Sequence, residues 1–116
     1  MKNQIEALEL KINNLEQLSY ELETRIIKHE KNTDKNWLST LDTSRAEIDA
    51  FRESLEVLFK INEELTQTER HIYETGSFKK IQKFEKKKKK LSDDILSLGK
   101  IFEIFENNLR TTISKL

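Results

Sequence analysis

Apolar side chains recur at alternating spacings of three and four residues along most of this chain, and that pattern restricts its fold more than any other feature. Such heptad repeats are typical of helices that pack lengthwise against other helices. The sequence therefore predicts an all-α protein, either an antiparallel helical hairpin or a three-helix coiled-coil bundle with long helices. The most regular repeat contains Ile81, Phe84, Lys88, Leu91, Ile95, Leu98, Phe102, Phe105, Leu109, Thr112 and Leu116.

Two interruptions divide the pattern into three repeats. The first repeat extends from Ile5 to His29, and its continuation is one residue out of phase with the second, which extends from Leu41 to Ile72. The spacing from Ile72 to Ile81 then fits no alternation of three and four. We predict one domain over 1–116, with helix 1 at about 2–31, helix 2 at about 37–74, a turn at 75–77 containing Gly76 and Ser77, and helix 3 at about 78–115.

The composition favours long helices over a compact globule. The chain has no proline and two glycines, and charged residues make up 36% against 35% apolar residues. Its 21 basic and 21 acidic residues balance, so net charge does not require a nucleic acid or a membrane as partner. Because no long apolar run and no secretory leader are present, we expect a cytoplasmic protein with no membrane partner, with leaderless export alongside a partner as the alternative.

The sequence contains no recognisable catalytic or metal-binding motif. It has no cysteine, no HExxH pair, no glycine-rich phosphate loop and no nucleophile elbow. Its two histidines, His29 and His71, lie near predicted helix ends, where imidazole often contacts terminal carbonyl groups. We therefore expect a protein that is not an enzyme and that needs no metal or cofactor.

Apolar residues in the last third of the chain occupy more of the helix circumference than one neighbouring helix can cover. Either helix 1 packs there as a third helix, or the surface binds a helical protein partner or a second copy in a homodimer. Trp37, near the first interruption, either closes one end of the bundle or anchors a partner. The candidate partner-binding residues are Ile95, Leu98, Ile101, Phe102, Ile104, Phe105, Leu109 and Trp37.

A lysine-rich stretch opens helix 3 and is interrupted by one acidic residue, Glu85. Such a face either remains solvated, opposite acidic residues of the neighbouring helix, or contacts phosphate groups. The stretch contains no arginine, and its nearby aromatic residues, Phe78 and Phe84, belong to the expected core side. We expect the solvated form, with nucleic-acid binding as the alternative. The basic face comprises Lys79, Lys80, Lys83, Lys86, Lys87, Lys89 and Lys90.

Residues 37 to 116, with two long antiparallel arms joined at Tyr73-Glu74-Thr75-Gly76, resemble the small helical hairpins of type VII secretion. These are the WXG-type proteins and the helical partners of LXG toxins. The turn has Tyr-x-x-Gly in place of the family's Trp-x-Gly. No aromatic-x-x-x-Asp export signal follows, since Glu106 stands four positions after Phe102. The resemblance therefore implies a targeting partner that binds the N-terminal helical domain of a toxin, not a protein that directs its own export.

Three functional hypotheses follow. The first is a helical adaptor, chaperone or targeting partner that pairs with helices of another protein through its coiled-coil faces. The second is a nucleic-acid-binding protein or phage-encoded inhibitor that uses the Lys79–Lys90 face. The third is a structural coiled coil that assembles with copies of itself.

Overall fold

The computed structural model describes residues 1–116 and consists of three α-helices with no strand. These are α1 (Lys2–Lys28), α2 (Lys35–Thr75) and α3 (Phe78–Ser114), and all three pack against one another. The all-α prediction is confirmed, in its three-helix form. The molecule measures 65 × 21 × 18 Å, so the helices lie side by side as a rod.

The first helix ends at Lys28, earlier than the predicted boundary at about residue 31. Glu30 adopts a left-handed conformation with φ of 57°. This allows Lys31 N–H to donate to the Ile26 carbonyl at 2.8 Å, and Glu30 N–H to donate to the Ile27 carbonyl at 3.1 Å. Glycine usually occupies such a position, and because none is present here, the predicted boundary lies slightly too late.

Asp34 caps the N-terminus of α2, which begins at Lys35, slightly before the predicted residue 37. Its carboxylate accepts hydrogen bonds from the backbone N–H groups of Asn36 at 2.9 Å and Trp37 at 3.4 Å. An aspartate in this position satisfies amide groups that have no partner within the helix. Further along, Ser44 lies inside α2, where its hydroxyl donates to the Thr40 carbonyl at 2.9 Å.

Gly76 and Ser77 form the whole connection between α2 and α3. Gly76 N–H donates to the Ile72 carbonyl at 2.8 Å, and a Cβ at Gly76 would collide with that same oxygen. The Ser77 hydroxyl accepts a hydrogen bond from Lys80 N–H at 3.3 Å and so caps α3. Since the connection is so short, α2 and α3 are antiparallel neighbours.

The first helix lies antiparallel to α2. Glu23 of α1 pairs with Arg45 of α2, and Glu16, two turns earlier in α1, pairs with Arg52, two turns later in α2. Continuing this pairing along α1 places Met1 beside about residue 67 of α2, given a rise of about 1.5 Å per residue in both helices. The hairpin therefore extends beyond α1, and its tip consists of α2 and α3 alone.

Against α3, the first helix runs parallel. A Cβ at Gly99 would lie 3.6 Å from a methyl group of Leu8, and the Lys11 ammonium pairs with the Glu106 carboxylate. The aromatic ring of Phe102 is fully buried and lies 4.7 Å from the ring of Phe51, centroid to centroid. All three helices contribute to the apolar core: Ile5, Leu8, Ile12, Leu15, Leu18, Leu22 and Ile26 from α1, Leu41, Ile48, Leu55, Leu58 and Leu65 from α2, and Phe84, Leu91, Ile95, Leu98, Phe102, Leu109 and Ile113 from α3.

Candidate functional site

Half of the predicted partner-binding residues lie in the core of this chain. Ile95, Leu98, Phe102 and Leu109 are buried. These four are therefore not an open surface for a partner, because the heptad seam they form is filled from within the molecule.

The other four predicted residues have two different environments. Trp37 and Phe105 are half-buried and pack against the core. The rings of Phe105 and Phe51 are perpendicular, and their centroids lie 5.2 Å apart. Ile101 and Ile104 are exposed. Of the eight residues, only Ile101 and Ile104 are surface residues on which a partner could pack.

A large hollow lies at the hairpin tip, between α2 and α3. This tip groove has a volume of about 570 Å³. Its apolar floor combines the buried side chains of Leu65, Phe84 and Leu91 with the half-buried Ile61 and Ile72. Along its sides lie Glu64 and Thr68 from α2, and Lys80, Lys83, Lys87, Lys90 and Asp94 from α3.

A second, shallower hollow continues the tip groove along the same two helices and shares Asp94 with it. It has a volume of about 320 Å³ and includes Val57 and Ile101, whose exposed fractions are 55% and 48%. No residue of α1 lines either hollow. We call the two hollows together the outer face, since they lie on the side of the hairpin that α1 leaves uncovered.

The seven predicted basic-face residues divide into two sets. Lys80, Lys83, Lys87 and Lys90 line the tip groove; we call them the groove lysines. The other three are exposed and line neither hollow. We call these the outward lysines: Lys79, Lys86 and Lys89.

Lys88, at a seam position, belongs to neither set. Its ammonium donates to the Glu69 carboxylate at 2.8 Å, which joins α3 to α2 on the flank away from the tip groove. This hydrogen bond is the main reason why the pKa of Lys88 lies above its ordinary value, with Coulombic attraction to Glu69 adding to it and burial opposing it. On the same flank, the rings of Tyr73 and Phe84 meet edge to face at 5.6 Å.

The α2 side of the outer face was missed by sequence reasoning. Val57, Ile61 and Ile72 line it, whereas all the predicted partner-binding residues except Trp37 lie on α3. The signal was the pair Val57 and Ile61, which lie beside the seam at a spacing of four residues and so share a second face of α2.

No three histidine, aspartate or glutamate side chains converge in a way that could hold a metal ion. His29 follows the last residue of α1, and His71 lies near the end of α2, where its ring approaches the Thr75 hydroxyl at 3.4 Å. Both imidazoles are exposed. The two histidines therefore occupy helix ends, as predicted.

None of the three helices combines the length and the apolar character needed to cross a membrane. No protein-family model matches the sequence, and neither a curated protein nor a solved structure shows detectable similarity to it.

Proposed function

We propose that this chain is a non-enzymatic helical adaptor that binds a helix of another protein along its outer face. The observation that carries the proposal is the uncovered apolar groove between α2 and α3. Val57 and Ile101 lie at one end and the floor of the tip groove lies at the other, and the two hollows meet at Asp94. Burying it would contribute about 25 cal/mol for each Å² of apolar area removed from water.

The chain itself illustrates how a helix fits against this hairpin. On the opposite side, α1 lies lengthwise on α2 and α3 and buries Ile12, Leu15 and Leu22 completely. The outer face offers the same two helices from the other side. A partner helix there would therefore use the same lengthwise packing as α1, with apolar residues recurring every three and four positions.

The test exchanges exposed apolar residues of the outer face for charge. The Val57→Glu, Ile101→Glu double variant should lose a partner that the unchanged protein retains in stoichiometric amount from cells, because a glutamate there would have to be buried without a counter-charge. The matched control is Leu10→Glu, Ile27→Glu, whose two side chains are equally apolar and 66% and 58% exposed on α1. This control should retain the partner, and thermal melting should show all three proteins folded.

Two results would contradict the adaptor function. One is a chain that retains no partner at all. The other is a partner that survives the outer-face variant but is lost from the α1 control. If the only partner is a second copy, measured as a concentration-dependent mass by light scattering, then the self-assembling coiled coil replaces the adaptor.

The resemblance to type VII hairpins gives a narrower form of the same proposal, in which the partner is the N-terminal helical domain of an LXG toxin. Its support is architectural, since α2 and α3 are long antiparallel arms joined by the short turn at Gly76 and Ser77. Co-expression with the N-terminal helical domain of an LXG toxin tests it. A stable complex that the Val57→Glu, Ile101→Glu variant fails to form is the expected result, and no complex with such a domain would refute this form alone.

A further inference from the structure

We infer that the helix bound by the outer face is amphipathic and carries acidic side chains along one flank only, the flank that faces α3. The inference rests on the proposed function, because it describes the partner of the same groove. The juxtaposition that carries it is a row of groove lysines beside an apolar floor, opposite a side wall that has no basic residue.

The groove lysines recur at spacings of three, four and three residues, so they form one row along α3. Asp94 continues this row four positions after Lys90 with the opposite charge, so the acidic residues of the partner belong opposite Lys80 to Lys90. None of the four takes part in an ion pair within the chain, whereas neighbouring Lys88 pairs with Glu69. Like charges at these spacings repel one another and destabilise a helix. A row of carboxylates placed opposite would relieve that repulsion while the partner's apolar stripe covers the floor.

The α2 side of the tip groove disfavours acidic residues on the partner helix. Ile61 and Thr68 are uncharged, and Glu64 is the single charged residue that α2 contributes. A partner helix with carboxylates on this flank would face Glu64 and gain nothing from the lysines. Uncharged or basic residues fit there, so the two flanks of the partner should differ.

The dimensions of the outer face fit a single long helix. From Lys80 to Ile101 the surface follows α3 for about 32 Å, which a partner helix of about 20 residues would span. The floor of the tip groove is apolar, and a phosphate backbone would leave it exposed to water. These two features favour an acidic helix over a nucleic acid as the occupant.

Labelled synthetic peptides of about 20 residues test the inference on the full-length protein. All would share one leucine stripe at heptad spacing and would carry glutamate on one flank, lysine on that flank, or glutamate on both flanks. Fluorescence anisotropy at low salt should show the first peptide binding about tenfold more tightly than either of the others, with the difference shrinking as salt rises.

Two charge-reversed proteins with the same net charge supply the matched comparison. Lys80→Glu, Lys83→Glu, Lys87→Glu changes groove lysines and should weaken the one-flank glutamate peptide about tenfold while strengthening the lysine peptide. Lys79→Glu, Lys86→Glu, Lys89→Glu changes only outward lysines and should leave the preference in place. The corresponding glutamine variants repeat the test without introducing charge, and circular dichroism checks that each protein folds.

The outcomes separate this inference from the proposed function. If all peptides bind equally and the Val57→Glu, Ile101→Glu variant binds none of them, then the partner has no acidic flank, but helix binding by the outer face still holds. Absence of binding by every peptide and by any cellular partner would overturn both. A third outcome is that the protein binds a 20-base-pair DNA duplex tightly, that both charge-reversed proteins lose this binding equally, and that no peptide is preferred. In that case the occupant is a nucleic acid and not an acidic helix.

Discussion

Polar residues occupy several seam positions, and Ser19, Ser44, Lys88 and Thr112 each form a side-chain hydrogen bond close by. The Ser19 hydroxyl donates to the Glu16 carbonyl at 2.8 Å, and Lys88 pairs with Glu69. No buried side-chain nitrogen or oxygen lacks a hydrogen bond. Because an unsatisfied buried polar group costs about 1–3 kcal/mol, these partners explain how a heptad seam tolerates serine and lysine.

Glu106 links two helices and makes stability depend on pH. Its carboxylate, 14% exposed, accepts hydrogen bonds from Lys11 of α1 and from Arg110 of α3. The bond from Lys11 is the main reason why the pKa of Glu106 lies below its ordinary value of 4.5, with Arg110 adding to the effect and burial opposing it. Since the pKa is lower in the folded state, the carboxylate stabilises the fold above pH 4.5, and this is lost as pH falls through the folded value.

The Glu106→Gln variant should therefore lower the free energy of unfolding by about 1 kcal/mol at neutral pH, and the loss should shrink towards about pH 3. Urea denaturation at both pH values measures it. Glu103→Gln is the control, because Glu103 is exposed and forms no ion pair, and it should change stability by less than about 0.5 kcal/mol. An equal loss at both pH values would show that charge pairing at Glu106 contributes nothing.

The lengths and ends of the helices decide which part of the core is formed by two helices and which part by three. The first helix has 27 residues against 41 in α2 and 37 in α3. It therefore covers only part of one side of the hairpin. The two glycines mark the two kinds of helix contact: Gly76 lies in the connection between α2 and α3, and Gly99 lies where α1 passes over α3.

Alanine at the two glycines should have opposite effects. At Gly99 a Cβ meets only the Leu8 methyl group at an ordinary 3.6 Å, so Gly99→Ala should stabilise the protein by about 0.5–1 kcal/mol through helix propensity. At Gly76 a Cβ would collide with the Ile72 carbonyl oxygen, so Gly76→Ala should destabilise it by about 1–3 kcal/mol. Chemical denaturation of both variants measures the effects. Destabilisation by Gly99→Ala would mean that α1 lies closer to α3 than described.

For the whole molecule, the radius of gyration of 19.2 Å exceeds the roughly 13 Å of a compact domain of this length. A rod this thin has one central layer of buried residues, and α1 supplies about a third of it. Removal of α1 should therefore expose a large part of the core of the hairpin, whatever binds on the outer face.

A truncated chain comprising residues 35–116 tests this expectation. Without α1, the side chains of Ile95, Phe102 and Leu109 lose their cover and should drive association of hairpins, because apolar patches of this size are rarely left exposed. Light scattering should show a mass that rises with concentration, with the full-length chain measured under the same conditions for comparison. A truncated chain that stays monomeric and melts at the same temperature would show that α1 is dispensable.

The sequence by itself determined the three helices, the two interruptions and the antiparallel hairpin. Their signals are local, since heptad spacing, Asp34, Gly76 and Ser77 act within a few residues of themselves. It also placed the lysines on the last helix, but did not distinguish those that line the tip groove from those that do not. It placed the end of α1 at about residue 31, slightly later than Lys28, because Glu30 adopts a conformation that glycine would normally indicate.

Only the tertiary structure decided which apolar residues are core and which are surface. A heptad repeat states that a side chain packs against some neighbour, but not whether the neighbour is α1 or another protein. Because α1 lies across one side of the hairpin, Phe102 is buried, whereas Val57 and Ile101 remain exposed on the other side. The outer face exists because one helix can cover only one side of a pair.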